Sequence, residues 1–200
     1  MIESNIHIEP FKGKLIAIGG SAGSFNPLLA LLEAIPSASQ HSWVVLLHRN
    51  SQKKSNLISL LQHHCKLKVK EAEDKEPLEP GVVYVAPSAY HLLLESNFSW
   101  QLDAGEPLWH CKPAIDVLFD SVADAAGKEA CGILLSGANQ DGAQGLRRMK
   151  LKGGLCLVQD PKDAMYPSMP SAATKLKAQH QLFSEAQSGQ LIKQLMGQDK

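Results

Sequence analysis

The chain has 200 residues, of which 44% are hydrophobic and 20% charged, and 20 Lys and Arg residues balance 20 Asp and Glu residues. This length and composition suit one globular domain with a substantial core. The balanced charge excludes a general electrostatic attraction to nucleic acid or to an anionic membrane. No apolar run reaches the roughly 18–20 residues that span a bilayer.

The first residues and the cysteines both favour the cytoplasm. Residues 1–7 lack the basic start and the apolar segment of a secretory signal peptide. The cysteines are widely scattered and contain no Cys-x-x-Cys pair, which argues against a disulfide framework or a zinc site. They are Cys65, Cys111, Cys131 and Cys156. We therefore expect a cytoplasmic protein with reduced thiols and no membrane insertion.

The first predicted elements are a strand, a tight turn and a helix. An apolar run over about 14–19 ends in a turn of sequence Gly-Gly-Ser-Ala-Gly-Ser, and a helical pattern over about 26–35 follows. Pro27 suits the first helical position, with Ser24 or Asn26 as the cap.

Ser21 lies in the middle of this turn, where Gly19 to Gly23 read Gly-x-Ser-x-Gly. A serine at a strand-to-helix turn with this spacing is the layout of a nucleophile elbow. The turn is also compatible with a phosphate-binding loop, or with the ordinary first loop of an α/β domain.

The remaining elements alternate between buried strands and helices. A helix that begins at Pro113 carries Asp116, Asp120 and Asp124 opposite its apolar stripe, and we expect these carboxylates to form a solvated face. In chain order, the other predictions are a strand at 42–47, a helix at about 55–63, a half-exposed strand at 66–70, a loop at 71–80, a strand at 82–86 with a hairpin partner at 91–95, an irregular segment at 97–111, a strand at 131–135, a helix to about 152, a strand at 155–158, and helices at 168–179 and 188–197.

This alternation predicts an α/β fold. We expect a doubly wound, mostly parallel sheet with helices on both faces, in three layers, and an antiparallel insertion over 66–95 that contains a small hairpin.

Three loops at the carboxyl ends of strands carry complementary chemistry. Ser21 follows the first strand, His48 the strand at 42–47, and Asp141 the strand at 131–135. Such loops line one crevice in an open parallel sheet. A serine needs an imidazole to take its proton, and the imidazole needs a carboxylate to orient it. The sequence therefore predicts a Ser-His-Asp site.

Other assignments remain open at this point. His91 and His110 are alternative bases, and His48 is equally compatible with a surface position. The neighbouring His63, His64 and Cys65 would point in different directions on a helix, which argues against a metal cluster. Asp141 is also compatible with a plain turn or a helix cap.

Several separated blocks resemble the catalytic domain of CheB-type chemotaxis methylesterases, over about residues 14–195. The block at 16–23 is similar to the nucleophile motif of that family, and His48 falls where the family has Gln-His. The other matching blocks are 80–87 with His91, 115–119, 136–145, and 159–161 with 169–170.

The resemblance implies a single α/β/α domain over residues 1–200 that hydrolyses methyl esters of glutamyl residues on chemoreceptors. Some members also deamidate receptor glutamines. It implies that Ser21 is the nucleophile, His48 the general base and then acid, and Asp141 the orienting carboxylate. The N–H of Ala22 would be one oxyanion donor and the 137–139 loop, at Ala138, would supply another. The implied partners are the methylated receptor and other chemotaxis proteins, with no metal or organic cofactor.

The sequence departs from the family pattern in three places. Ser24 stands where glycine is usual, Leu47 replaces the Gln before the histidine, and residues 138–140 differ from the usual loop. Because the first strand begins near residue 14, we expect a stand-alone form without a receiver domain.

Two other functions are kept as alternatives. A non-catalytic module of the same fold that binds a receptor or a kinase would account for the changed 138–140 loop. A nucleotide-binding domain is disfavoured, because neither a P-loop lysine nor a G-x-G-x-x-G follows the first strand.

Overall fold

The computed structural model describes residues 6–48 and 56–198. Residues 1–5, 49–55 and 199–200 lie outside the described residues, and with them the start of the second helix, which was predicted at residue 55. The strands are β1 (Leu15–Gly20), β2 (Ser42–Leu47), β3 (Lys68–Glu71), β4 (Val82–Val85), β5 (His91–Leu94), β6 (Trp100–Asp103), β7 (Ala130–Leu134), β8 (Leu155–Gln159) and β9 (Gln181–Phe183).

The described residues contain six α-helices and two 3-10 turns. They are α1 (Phe25–Ala34), α2 (Leu57–His63), α3 (Ile115–Ala126), α4 (Ala143–Leu151), α5 (Ser168–Lys175) and α6 (Ser188–Leu195), with 3-10 turns at Gly127–Glu129 and Glu185–Gln187. Among the described residues, no helix is both long and apolar enough to cross a membrane.

Seven strands form one sheet in the order β3-β4-β2-β1-β7-β8-β9, and every neighbouring pair in it is parallel. The central strands β1, β2 and β7 are buried on both faces, as their continuous apolar sequences predict. The doubly wound α/β fold expected from the sequence is confirmed.

Two hydrophobic cores cover the two faces of this sheet. One contains apolar residues of α3, α4 and α5 together with Leu92, Leu94 and Trp100 of the β5–β6 ribbon. The other contains apolar residues of α1, α2 and α6. Because α1 follows β1 on one face and α4 follows β7 on the other, the loops after β1 and β7 separate and leave a crevice at the carboxyl edge.

The predicted antiparallel insertion over 66–95 is wrong. Strands β3 and β4 are parallel members of the main sheet, and the segment at 91–95 does not pair with β4. Its antiparallel partner is β6, which lies in the segment over 97–111 that was predicted to be irregular. Apolar periodicity identifies strands locally, but it does not identify their partners.

The helix boundaries differ slightly from the predictions at α1. The helix begins at Phe25, so that Pro27 is its third residue rather than its first, and Ser24 is the N-cap. The Ser24 side chain makes no capping hydrogen bond to the helix and instead bonds to the carbonyl of Ser21.

Candidate active site

The ends of β1 and β2 place Ser21 and His48 side by side. Gly20 and Leu47 are paired in register, and the His48 N–H donates to the Gly20 carbonyl at 3.2 Å. On the other side, the Ser21 N–H donates to the carbonyl of Ser136, directly beyond β7, at 2.9 Å. The backbone of Ser21 is thereby held between the two neighbouring strand ends.

The turn after Ser21 requires a glycine at position 23, and hydrogen bonds from Ser24 and Ser136 hold it in place. Gly23 has a φ of +75°, and a Cβ there would lie 2.7 Å from Met165 Cβ, so a side chain is excluded both by conformation and by space. Ser24 donates through its Oγ and its N–H to the Ser21 carbonyl, at 2.6 Å and 3.1 Å. The Ser136 hydroxyl donates to the Ala22 carbonyl at 2.8 Å.

His48 and Asp141 form a direct pair. His48 Nε2 lies 2.8 Å from Asp141 Oδ2, with the imidazole 11% exposed and the carboxylate fully buried. A carboxylate oxygen only accepts hydrogen bonds, so Nε2 carries the proton and Nδ1 of the neutral ring has the lone pair. Nδ1 is therefore the nitrogen that is available to act as a base.

Asp141 is held by the N-terminus of α3. Its Oδ2 also accepts the Ile115 N–H at 2.7 Å, and its Oδ1 accepts the Asp116 N–H at 2.8 Å. These donors belong to the first turn of the helix, where backbone N–H groups have no partner within the helix and the dipole favours an anion. The buried carboxylate is thus fixed in position and its charge is stabilised.

Cys111 contacts the other ring nitrogen of His48, Nδ1, and the sequence did not predict this contact. Its Sγ lies 3.5 Å from His48 Nδ1 and accepts from Asn139 Nδ2 at 3.3 Å. Burial, followed by the nearby charge of Asp141, raises the pKa of the Cys111 thiol. The thiol therefore keeps its proton at neutral pH and donates it toward Nδ1.

The structure brings His48 and Asp141 into contact, but it does not bring Ser21 Oγ within hydrogen-bonding distance of either of them. Ser21 Oγ makes no hydrogen bond with any other described residue. The role of Ser21 as nucleophile therefore stays a prediction, which its position one residue beyond the β1 end supports.

The two predicted oxyanion donors are also free of other hydrogen bonds. Ala22 and Ala138 are exposed, and neither N–H donates to another described residue. The neighbouring Gly137 N–H, in contrast, donates to the Tyr166 carbonyl at 3.0 Å. In the 137–139 loop, the Gly137 N–H is therefore already hydrogen-bonded within the fold, whereas the Ala138 N–H is available to bind an oxyanion.

Asp116 is a second buried carboxylate, which contradicts the predicted solvated face for this residue. Its Oδ1 accepts the Gly145 N–H at 2.8 Å and its Oδ2 accepts Trp109 Nε1 at 3.0 Å. Burial raises the pKa of Asp116. Asp116 lies in the first turn of α3, where its N–H donates to the buried Asp141, and its side chain is therefore held within the protein rather than on the solvated face.

The alternative bases have other roles. His91 is buried, with Nε2 at 2.9 Å from the Glu106 carbonyl and Nδ1 accepting the Ala114 N–H at 3.1 Å. His110 is exposed, as is the hydrogen bond between His64 Nδ1 and Glu33 Oε1. Of the described histidines, His48 is the one that contacts a buried carboxylate.

A groove of about 790 Å³ lies next to Asn139 and Gln140, the two residues that precede Asp141. Its walls come from the loops at 109–110 and 139–140 and from helices α4 and α5. Three large apolar side chains are exposed nearby: Trp109, Met165 and Tyr166, of which Met165 lies against the turn that carries Ser21.

The His48–Asp141 pair lies at the carboxyl edge of the parallel sheet, the edge at which proteins of the α/β class bind their ligands. The sequence profile described as CheB methylesterase matches residues 16–192. The chain therefore belongs to the CheB methylesterase family, which confirms the family expected from the motifs.

Relatives and a solved structure agree with this assignment. A protein of Leptospira interrogans is 39% identical over 158 residues, which is 79% of this chain and 82% of the relative. A Caulobacter vibrioides protein named protein-glutamate methylesterase/protein-glutamine glutaminase 1 is 37% identical over 90% of this chain, but the match covers 53% of its own length.

The catalytic domain of the Thermotoga maritima CheB methylesterase has a similar structure, with a TM-score of 0.85 at 26% identity. The match covers 92% of this chain and 98% of that domain. The fold seen here is therefore the fold of that catalytic domain.

Proposed function

We propose that the chain is a protein-glutamate methylesterase that uses Ser21, His48 and Asp141 to hydrolyse glutamyl methyl esters on chemoreceptors. The enzyme class follows from the family, whose members are carboxylic ester hydrolases. The observation that carries the assignment of the site is the 2.8 Å pair between His48 and the buried Asp141, next to Ser21 on the neighbouring strand end.

In the first half of the reaction, Ser21 Oγ attacks the ester carbonyl while His48 Nδ1 takes the hydroxyl proton. The bond from Ser21 to the glutamyl carbon forms, the bond to the methoxy oxygen breaks, and methanol leaves with the proton from His48. Asp141 keeps the proton on Nε2 and stabilises the imidazolium. Ser21 has to replace the Cys111 thiol at Nδ1 for this transfer.

In the second half, His48 removes a proton from water, and the resulting hydroxide forms a bond to the acyl carbon. The bond from this carbon to Ser21 Oγ then breaks, His48 returns the proton to Ser21 Oγ, and the receptor glutamate leaves. Negative charge develops on the carbonyl oxygen in both halves. The free N–H groups of Ala22 and Ala138 are the proposed donors to that oxygen. The receptor would dock over the groove and its exposed apolar side chains, since contact with a protein requires such a surface.

The same site would accept a receptor glutamine, with ammonia leaving in place of methanol. The Caulobacter vibrioides relative carries the name of a glutaminase as well as that of an esterase. We place both reactions in the cytoplasm, and the four free cysteines support this location.

The decisive experiment measures methanol release from a methylated chemoreceptor by purified protein and by the Ser21→Ala variant. We expect Ser21→Ala to lose at least about a thousandfold in rate without unfolding. Ser37→Ala, an exposed serine outside the site, is the matched control, and a serine-directed phosphonate should label the wild type at Ser21.

Equal turnover by the wild type and Ser21→Ala would refute the assignment of the nucleophile. Tight receptor binding without turnover by either protein would instead support the binding-module alternative.

A further inference from the structure

We propose that Cys111 and His48 form a binding site for a zinc-type cation, and that the bound cation inhibits the enzyme. The inhibition rests on the proposed function, whereas the binding does not. The site lies at Nδ1 of His48, the nitrogen that would otherwise accept the proton of Ser21.

The spacing of the two side chains fits two ligands of one metal ion. Cys111 Sγ and His48 Nδ1 are 3.5 Å apart. A tetrahedral zinc with bonds of about 2.3 Å to sulfur and 2.0 Å to nitrogen holds two such ligands about 3.5 Å from each other. The cation therefore needs little movement of either side chain.

The surroundings supply the support that a metal-bound histidine needs. Asp141 accepts the proton of Nε2 at 2.8 Å, which fixes the ring and keeps the lone pair of Nδ1 directed at Cys111. Within the described part of the chain, His48, Cys111 and Asp141 are the one group of three such side chains whose ligand atoms lie within 4.8 Å of one another.

The donor set selects the class of cation. A thiolate and an imidazole favour zinc and similar transition metals over magnesium or calcium, which prefer oxygen ligands. On binding, the Cys111 proton leaves to solvent, a metal–sulfur bond forms, and the metal replaces the thiol at Nδ1. Water molecules complete the coordination, and no oxidant or reductant is required.

Occupation of the site would stop catalysis because Nδ1 has a single lone pair. With this lone pair bound to the cation, His48 is unable to accept the proton of Ser21. The cation is thus an inhibitor and not a cofactor, which leaves the expectation of a cofactor-free reaction unchanged. Cys111 is half-buried, so the cation has access from solvent.

Cobalt(II) titration of the reduced protein tests the site independently of activity. We expect the near-ultraviolet absorption of a thiolate bound to cobalt, and its loss in Cys111→Ser and Cys111→Ala. Zinc added afterwards should displace cobalt and remove the band. Cys65→Ser and His110→Ala serve as matched controls, being another cysteine and an exposed neighbouring histidine, and both should retain the band.

Activity provides the second measurement. Zinc should inhibit methanol release reversibly, and a chelator should restore it. In Cys111→Ser, with each protein compared with its own chelator-treated rate, we expect at least about tenfold weaker inhibition.

A cobalt band that survives in both Cys111 variants, or that disappears in a control variant, would overturn the proposal. If the protein bound cobalt through Cys111 but released no methanol, this result would contradict the proposed function and support the metal site.

Discussion

The Asp141 carboxylate is the residue on which the geometry of the site depends. It accepts hydrogen bonds from His48 Nε2, Ile115 N–H and Asp116 N–H, and it is fully buried. Two of these donors share Oδ2 and the third uses Oδ1, so both oxygens are required. An amide side chain of the same shape supplies only one acceptor oxygen.

We therefore predict that Asp141→Asn loses about 10³–10⁴ in kcat. If its amide oxygen stays near His48, its NH₂ group faces the Asp116 N–H, and the protein should lose about 1–3 kcal/mol of unfolding free energy. Rates on a methylated receptor and urea denaturation would measure the two effects. A variant with normal kcat would show that His48 does not depend on this carboxylate for its orientation.

Ser24 shows how a departure from the family pattern fits the structure. Its φ of −86° is accessible to any residue, so glycine is not required for the backbone there. Its hydroxyl instead adds a 2.6 Å hydrogen bond to the Ser21 carbonyl. Ser24 thus stabilises the turn that contains the proposed nucleophile, Ser21.

The sequence identified His48 and Asp141 as a pair because both follow strands whose carboxyl ends meet at one edge. It did not identify Cys111, which is 63 residues from His48 and lies on a loop with no strand or helix to place it. Side chains that lie close to the end of a strand or the start of a helix can be placed from those elements. Contacts made by irregular loops depend on the folded structure, which local patterns do not specify.

At the scale of elements, α3 and α4 approach each other closely at Gly145. A Cβ on Gly145 would lie 2.8 Å from the Asp116 carbonyl oxygen and 2.7 Å from Phe119 Cβ. The same crossing includes the hydrogen bond from the Gly145 N–H to Asp116. The position of the α3 N-terminus at Asp141 therefore depends on this small residue.

We predict that Gly145→Ala costs about 1–3 kcal/mol of unfolding free energy, since the two helices have to move apart, and that it lowers kcat through the displaced α3. Gly189→Ala is the matched control because a Cβ there meets nothing within 4 Å. This control should gain up to about 1 kcal/mol from helix propensity. Thermal unfolding of both variants checks the prediction, and equal shifts would contradict it.

An ion-pair cluster joins the outer faces of the same two helices. Asp124 lies 2.6 Å from Arg148 Nη2 and 3.2 Å from Lys152 Nζ, with all three side chains about half exposed. The hydrogen bond from Arg148, followed by that from Lys152, lowers the pKa of Asp124. Asp124 is thus the solvated carboxylate that the sequence predicted, whereas Asp116 on the same helix is not.

Because the pKa of Asp124 is lowered in the folded state, its stabilising effect is present at neutral pH. It should be lost as the pH falls from the ordinary value near 3.8 through the lowered value. We predict that Asp124→Asn is slightly less stable than the wild type at neutral pH. The difference should vanish in acid and shrink in high salt. Urea denaturation across pH would measure it, and a difference that grows in acid would be inconsistent with this account.

The elements themselves were largely predictable, but their partners were not. The continuous apolar runs of β1, β2 and β7 and the helical period of α3 are local properties. The assignment of 91–95 to β4 failed because the true partner, β6, lies in a segment without clear alternation. The short edge strand β9 was not predicted, since three residues carry too little periodicity.

At the scale of the molecule, two hydrophobic cores hold the sheet in place from both faces. Ser21, His48 and Asp141 all lie at its carboxyl edge. The alternation of strands and helices predicted this α/β class. The strand order with β1 next to both β2 and β7 depends on pairing between distant segments. That order explains why the backbones of His48 and Ser136 lie on opposite sides of the end of β1.

The groove beside this edge gives the last prediction, which concerns recognition of the protein substrate. Trp109 is 42% exposed, and its indole N–H donates to the buried Asp116 at 3.0 Å. The ring is thus a large apolar contact that is already fixed in orientation. Residues of this kind contribute strongly to binding because little conformational freedom is lost when a partner covers them.

We predict that Trp109→Ala raises KM for a methylated receptor by about tenfold or more, with a smaller change in kcat and almost no effect on a small methyl ester. Trp109→Phe should restore part of the affinity, since it retains an aromatic ring but lacks the N–H. Leu151→Ala is the control, because Leu151 is 77% exposed and lies outside the groove. If Trp109→Ala impaired the small ester as strongly as the receptor, Trp109 would act on the reacting groups rather than on docking.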